Sequence, residues 1–313
     1  MPERIYYAPQ ETPLLKKLFY RFRPNAVPVG DFPEDVLFET VSGCNARCTF
    51  CPNGNGGSKI PQGRMDWELF TKIIDESLRH PVKRISPYLM NEPLLDRGLA
   101  KKIRYIADRR TNGVSLKINT NAALLDEEAA RGLIDSGLDR LNISCHGISK
   151  VAYEESMKGL RLETTLANVD RFLELRRAAG CKKPRVTVTM VKTKIIEQEI
   201  PQIKQYWGAR GVSVHIRQLE NRASAAIAGK GIEASGWKNF SWCKRLFSQA
   251  NILTNGDMIL CCVDYGYTTV LGNVGQTSLK DVWNSEKARD IRRRFLRGDM
   301  EGLLCGACLK EPA

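Results

Sequence analysis

Gly43-Cys44-Asn45-Ala46-Arg47-Cys48-Thr49-Phe50-Cys51 sets three cysteines in a Cys-x3-Cys-x2-Cys spacing. The apolar run before it, Val36-Leu37-Phe38-Glu39-Thr40-Val41, reads as a strand. Three thiolates on one tight loop hold three irons of a [4Fe–4S] cluster and leave the fourth iron open to a small chelating ligand. A fourth protein ligand would close that position, so the spacing points to a reactive cluster rather than an electron wire. Zinc is the alternative; it takes four Cys or His ligands, and no neighbouring histidine supplies the fourth.

Beyond this loop, strand and helix patterns alternate. Strands are expected at Val36–Val41, Arg84–Leu89, Ser115–Asn119, Arg140–Ser144, Arg185–Met190 and Ser213–Arg217. Helices are expected at Trp67–Leu78, Leu99–Arg110, Glu127–Ser136, Leu162–Ala179 and Ile200–Trp207, with Asp126 as an N-cap and Gly113, Gly137 and Gly180 past C-termini. This order implies an α/β fold with a parallel sheet and right-handed crossovers. Periodicity alone leaves open whether the sheet curls into a partial barrel. In either case the reactive loops lie beyond the carboxyl ends of the strands, where the cysteine loop sits.

Residues 1–34 are proline-rich and read as an N-terminal extension; 35–222 form the α/β core, and Asn221 to Gly236 reads as a linker. The last region, 237–313, carries a hairpin signal at Asn255-Gly256 between two apolar runs, then a helix from about Ser285 to Arg297. It also holds a second cysteine set, Cys243, Cys261, Cys305 and Cys308, which makes a full four-ligand site for a cluster or for zinc.

The chain has 313 residues, 42% hydrophobic and 27% charged, with a net charge of +13 and ten cysteines. No apolar run reaches the roughly 18 residues that span a bilayer, and no signal-peptide core opens the chain. A cytoplasmic location without membrane association is therefore expected, where cysteines serve metal or redox chemistry rather than disulfides. The positive charge suits a nucleic acid, an anionic small substrate or a solvated surface. One aromatic, Phe295, lies within the densest basic cluster, Arg289 to Arg297, which is too few for a base-stacking platform, so a nucleic-acid partner is not expected.

The cysteine loop, with an aromatic Phe50 before its last cysteine, resembles the radical S-adenosylmethionine (SAM) superfamily. The likeness implies a partial (β/α)6 TIM-like barrel in which SAM chelates the open iron and is cleaved by an electron from the cluster. The resulting 5′-deoxyadenosyl radical then removes hydrogen from a substrate, with an external donor such as flavodoxin or ferredoxin supplying electrons. Leu89-Met90-Asn91-Glu92-Pro93 resembles the Gly-Gly-Glu-Pro motif, with Asn91 replacing a glycine. Asn119-Thr120-Asn121 and Ile143-Ser144-Cys145-His146-Gly147 resemble the segments near the SAM ribose and methionine ends. The resemblance thus implies cofactor contacts at Phe50, Asn91, Glu92, Asn119, Asn121 and Ser144.

Cys243-x12-Gly256-x4-Cys261, a long gap, then Cys305-x2-Cys308 resembles the twitch domain, the shorter relative of the SPASM domain. That implies a second, auxiliary [4Fe–4S] cluster in a small hairpin-plus-helix domain, hence two clusters per chain. Cys262 and Cys145 are candidate hydrogen-atom donors and His146 a candidate substrate contact or proton carrier. Arg217 and Arg222 are candidate clamps for a phosphate, phosphonate or carboxylate. Relatives with one auxiliary cluster imply dehydrogenation or epimerisation of a small, anionic substrate. Peptide maturation of the SPASM type is the alternative, although the short N-terminal extension leaves little room for a leader-binding domain. A nonenzymatic metal-binding protein associated with nucleic acid is the alternative from another class.

Overall fold

Ser115-Leu116-Lys117-Ile118-Asn119-Thr120 forms strand β4, in which Leu116 and Ile118 are fully buried and Ser115, Lys117 and Asn119 are only half-buried. The same alternation of burial runs through β7 (Arg185–Val191), and the polar–apolar alternation runs through the sequences of β5 (Arg140–Ser144), where Asn142 is also buried, and β8 (Ser213–Arg217). Parallel strands covered on both faces normally read as continuous apolar runs. Here one face is apolar and packs under helices, while the other is polar and faces an interior cavity. The computed structural model describes residues 29–111, 113–217, 219, 223 and 243–309. Most of the expected N-terminal extension, most of the linker, and Arg222 lie outside the described residues.

In chain order the described elements are β1 (Asp35–Phe38), β2 (Arg47–Cys48), α1 (Trp67–Leu78), β3 (Arg84–Ser86), α2 (Leu99–Arg109), β4, α3 (Glu127–Asp135), β5, α4 (Lys150–Ser156), β6 (Met157–Lys158), α5 (Leu162–Ala178), β7, α6 (Lys194–Glu197), α7 (Ile200–Gly208) and β8. The C-terminal part adds α8 (Lys244–Ser248), β9 (Gln249–Ile252), β10 (Asp257–Ile259), β11 (Val270–Asn273), α9 (Leu279–Trp283), α10 (Glu286–Arg297) and α11 (Leu304–Leu309). One sheet runs β11-β10-β9-β1-β3-β4-β5-β7-β8, parallel from β9 through β8. Residues of β8, β1 and β9 line a single cavity, so the sheet curls into a partial barrel.

The apolar face is built from Ile118, Ile143 and Val188, packed with Ile103 and Ile106 of α2, Leu133 of α3 and Phe172 of α5. Complete burial of a side chain of this size contributes roughly 1.5–3 kcal/mol, which fixes the register of each strand. Asp66 and Asp126 cap α1 and α3 by accepting the amides of Leu69 (2.7 Å) and Ala129 (2.9 Å). β1 ends at Phe38, earlier than the sequence suggests. Beyond it Val41 bridges to Arg64, so the chain swings aside into the cysteine loop.

The expected hairpin is present, but its first strand is not separate from the core. β9 pairs in parallel with β1, Leu37 opposite Asn251, and extends the barrel sheet. Gly256, at φ +87°, makes the turn between β9 and β10. Arg292 of α10, only 1% exposed, donates to the carbonyls of Leu246 (3.1 Å) and Trp283 (2.7 Å) and stacks on the Trp283 ring. One buried guanidinium thereby ties α8, α9 and α10 together.

Candidate functional site

The cysteine loop leaves the carboxyl end of β1 and is pinned from several directions. Cys48 pairs with Met157 in the short β2–β6 ribbon, and the Thr49 amide donates to Ser156 O at 3.1 Å. Within the loop, the Cys51 amide donates to Cys48 O at 3.0 Å and the Ala46 amide to Cys44 Sγ at 3.4 Å. As residues, Cys44 is exposed and Cys48 and Cys51 are half-buried, while burial pushes the Cys44 thiol up to about 12. Cys44 lies within electrostatic reach of both Cys51 and Glu92.

Glu92 links this loop to the ends of two strands. Its amide donates to Gly43 O at 2.9 Å, beside Cys44. Its Oε1 accepts from Leu94 N (3.1 Å) and Thr120 Oγ1 (2.7 Å), and its Oε2 from Asn121 N (2.7 Å). Burial raises the carboxyl to about 7 against these three donors. Asn121 donates from Nδ2 to Asn45 Oδ1 at 2.8 Å, bracing the cysteine loop, and its Oδ1 accepts from Ala123 N at 3.0 Å.

Glu39 is a site residue that sequence reading missed. It is 1% exposed, its Oε1 accepts from Met90 N at 3.1 Å, and burial raises its carboxyl to about 7. The carbonyl of the same Met90 accepts from Asn53 Nδ2, just past Cys51. The Met90 peptide is therefore gripped at both ends, which holds the Leu89–Glu92 turn against the cysteine loop. Among the described residues, buried atoms here without a protein partner include Glu39 Oε2, Thr40 Oγ1, Asn91 Nδ2 and Asn119 Oδ1, and of these residues Asn119 lines the cavity. Buried polar groups are normally paired, so Asn119 Oδ1 is a place for a polar ligand.

The barrel cavity, about 240 Å³, is lined by Phe50, Asn119, Ser144 and His146 from the amino-terminal half of the chain and by Cys262 and Tyr265 from the carboxyl-terminal part. Lys117, Arg217 and Arg245 line the same space. The His146 ring stands edge-on to Phe50 at 4.8 Å, and its Nδ1 accepts from Val191 N at 2.9 Å. That bond assigns the ring proton to Nε2, so the imidazole is a donor there. The expected role as proton carrier is corrected, because the Val191 amide occupies the nitrogen that would have to gain a proton. Cys145 is also corrected. It is fully buried in the apolar core, outside the cavity lining, with Sγ donating to Gly147 O at 3.3 Å.

The second cysteine set assembles around α8. Cys243 caps this helix, with Leu246 N donating to its carbonyl at 3.2 Å. Cys305 is pushed up to about 12 by burial and by the nearby Cys243 and Cys308. Cys261 is raised by its hydrogen bond with Cys262 and by burial, and it also lies near Cys243. The fold thus gathers residues 243, 261, 305 and 308 from three separated stretches. Cys261 is outside the cavity lining and Cys262 is in it. Buried Asp264 shapes the following loop by accepting from Thr268 N (2.9 Å), Thr268 Oγ1 (2.8 Å) and Thr269 N (2.8 Å). Among the described residues no group of His, Cys, Asp or Glu forms a site for a single metal ion. Nor is any helix among them long and apolar enough to cross a membrane.

Comparison with known proteins agrees with this geometry. The radical SAM superfamily model matches residues 38–206, and the SPASM iron–sulfur cluster-binding domain matches 243–309. A GTP 3′,8-cyclase of Sulfurimonas denitrificans is 35% identical over 195 residues, 59% of this chain and 56% of the relative. A tungsten-containing aldehyde ferredoxin oxidoreductase cofactor-modifying protein of Pyrococcus furiosus is 27% identical over 172 residues, 55% of this chain and 47% of the relative. The chain thus spans about half the length of these relatives. Among solved structures, BtrN in complex with AdoMet and 2-DOIA superposes with a TM-score of 0.63 at 18% identity, covering 89% of this chain and 92% of BtrN. SuiB of Streptococcus suis bound to S-adenosylmethionine gives 0.67 at 16% identity, covering 87% and 70%. These two share the fold. Since the superfamily match takes in more than half of the sequence and frames the Cys44–Cys51 loop, the chain belongs to the radical SAM superfamily, with a SPASM-type domain after its barrel and with SAM and [4Fe–4S] clusters as its cofactors.

Proposed function

We propose that this protein uses SAM to remove a hydrogen atom from a carbon of a small, anionic substrate held in the barrel cavity, and that dehydrogenation or epimerisation follows. One observation carries the reading. Phe50, Ser144 and His146, beside the cysteine loop, share one cavity with Cys262 and Arg245, which flank the second cysteine set. When bound, the first cluster and SAM supply reductive carbon–sulfur cleavage and hydrogen-atom abstraction.

The chain's own residues supply the rest. Cys44, Cys48 and Cys51 would hold the SAM-binding cluster, and Cys243, Cys261, Cys305 and Cys308 the auxiliary one. Asn91, Asn119 and Ser144 would orient SAM, with Glu92 and Glu39 stiffening the turn behind them. Phe50 packs against Leu219 and screens the cavity from water. His146 offers its Nε2 proton to an acceptor on the substrate. Cys262, the thiol lining the cavity among the described residues, is positioned to return a hydrogen atom. The GTP named for the Sulfurimonas relative is anionic, and the cationic lining here suits a substrate of that charge. An external electron donor and a cytoplasmic setting complete the reading.

The test is anaerobic reconstitution with iron and sulfide counting alongside detection of 5′-deoxyadenosine. Two cubane clusters give about eight irons per chain. Absence of 5′-deoxyadenosine under strong reductant would overturn the reading, and about four irons would remove the auxiliary cluster from it. Product mass then separates the reactions: dehydrogenation removes two hydrogens, whereas epimerisation conserves mass and exchanges one hydrogen with solvent.

A further inference from the structure

We infer that Lys117, Arg217 and Arg245 form one clamp for a phosphate-class dianion on the substrate: a phosphate ester, a diphosphate or a phosphonate. This rests on the reading above that the cavity holds the substrate. The three cations stand at widely separated places in the sequence. Lys117 lies midway along β4, Arg217 ends β8, and Arg245 is in the first turn of α8, two residues after Cys243. Only the curl of the sheet and the docking of α8 bring them to one cavity.

The rest of the lining mixes apolar and aromatic side chains with the neutral polar Asn119, Asn142, Ser144, Thr189 and Gln249; no Asp or Glu appears among the described residues that line it. Each cation has interactions of its own, and all three line the same cavity. SAM carries an ammonium, a sulfonium and one carboxylate, so it adds net positive charge and can occupy one cation at most. A substrate carboxylate has one charge and two oxygens, which a single guanidinium satisfies in fork geometry. A tetrahedral dianion has three terminal oxygens and two charges, and can engage several cations approaching from different directions. Arg245 places one arm of the clamp beside the second cysteine set. Substrate held this way is fixed between the two halves of the site.

The experiment is calorimetric titration of the oxygen-protected, SAM-loaded full chain with inorganic pyrophosphate, phosphate and acetate at fixed ionic strength. Saturable one-to-one binding of pyrophosphate or phosphate, with acetate at least tenfold weaker, is expected. Lys117→Gln, Arg217→Gln and Arg245→Gln should each weaken pyrophosphate about tenfold, and Arg217→Lys should weaken it less. Arg185→Gln, which alters the separate basic cavity at the amino ends of the strands, should leave binding unchanged. Thermal melts confirm that each variant folds. Equal affinity for acetate, no saturable binding, or equal loss in Arg185→Gln would overturn the clamp. So would variants that lose SAM affinity and keep pyrophosphate affinity, because the cations would then serve SAM. Formation of 5′-deoxyadenosine is scored separately, so failure of the radical SAM reading is distinguishable from failure of the clamp.

Discussion

Asn121 donates its backbone amide to Glu92 Oε2 at 2.7 Å, and its side chain reaches on to Asn45 in the cysteine loop. The Glu92 carboxylate is therefore a strut between the end of β4 and the cysteine loop. With Leu94 N and Thr120 Oγ1 it gathers three donors, leaving about one of a carboxylate's four lone-pair positions for a ligand.

Replacing Glu92 by Ala should consequently damage the fold before it damages chemistry. Three buried donors lose their acceptor, and each unsatisfied group costs about 1–3 kcal/mol. Urea unfolding of the reduced apoprotein should show a loss of about 3 kcal/mol or more. Glu92→Gln keeps one acceptor oxygen and should fall between. If Glu92→Ala weakened SAM binding at unchanged stability, Glu92 would be a ligand and not a strut.

Glu39 makes stability depend on pH. Its folded value of about 7 exceeds the ordinary 4.5, because burial penalises the charge. Between these values the folded state keeps a proton that the unfolded state has lost, so stability falls as pH rises across that window. A difference of this size corresponds to about 3 kcal/mol at full ionisation. Glu39→Gln, which cannot ionise, should lessen the decline between pH 5.5 and 8 and be more stable than wild type at pH 8. Glu92 shifts in the same direction and keeps its own share of the slope in that variant. Chemical denaturation of the apoprotein at three pH values decides it; parallel curves for Glu39→Gln and wild type would refute it.

Much of this architecture is legible before any coordinates, and the reasons are local. The spacing of Cys44, Cys48 and Cys51 is a short-range signal, as are the Asp126 cap and the Asn255-Gly256 turn. The strands Arg140–Ser144 and Ser213–Arg217 and the helix Trp67–Leu78 fall where the residue pattern puts them. What escaped depends on contacts across the fold. Lys117 and Arg245 carry no motif, and only the curl of the sheet brings them to one cavity. Glu39 looks like one polar residue at a strand end until Met90 is seen to donate to it. The polar alternation in β4, β5 and β7 was available in the sequence and would have indicated a hydrated interior. Cys145 and His146, adjacent in sequence, part company because one turns into the core and the other toward the cavity.

Gly54 tests how tightly the metal loop is packed. A Cβ there would lie 2.5 Å from Arg47 Cα and 2.8 Å from Cys48 N, both backbone atoms of the loop proposed to hold the first cluster. Neither can yield without moving Cys48. Gly54→Ala should therefore cut reconstituted iron from about eight to about four per chain, the content of one cubane cluster, and abolish SAM cleavage. Spectroscopy should show the auxiliary cluster retained. Full iron in this variant would mean that the loop is looser than its contacts indicate.

Cys261 and Cys262 are adjacent in sequence and should behave oppositely. Cys261 is outside the cavity and near Cys243; Cys262 lines the cavity, with the two thiols hydrogen-bonded to each other. Cys261→Ser should lower iron to about four per chain, since one cubane cluster loses a thiolate ligand. Cys262→Ser should keep about eight, with both cubane sites intact, and keep 5′-deoxyadenosine formation. Its product carries the information. If the reaction is epimerisation, a serine hydroxyl cannot replace the thiol as hydrogen-atom donor, because its O–H bond is much stronger than S–H. Solvent deuterium would then disappear from the product while SAM cleavage continued. If the reaction is dehydrogenation, no hydrogen returns, and Cys262→Ser should form product at a rate within severalfold of wild type. A drop to four irons in Cys262→Ser would show that the two cysteines had been assigned the wrong way round.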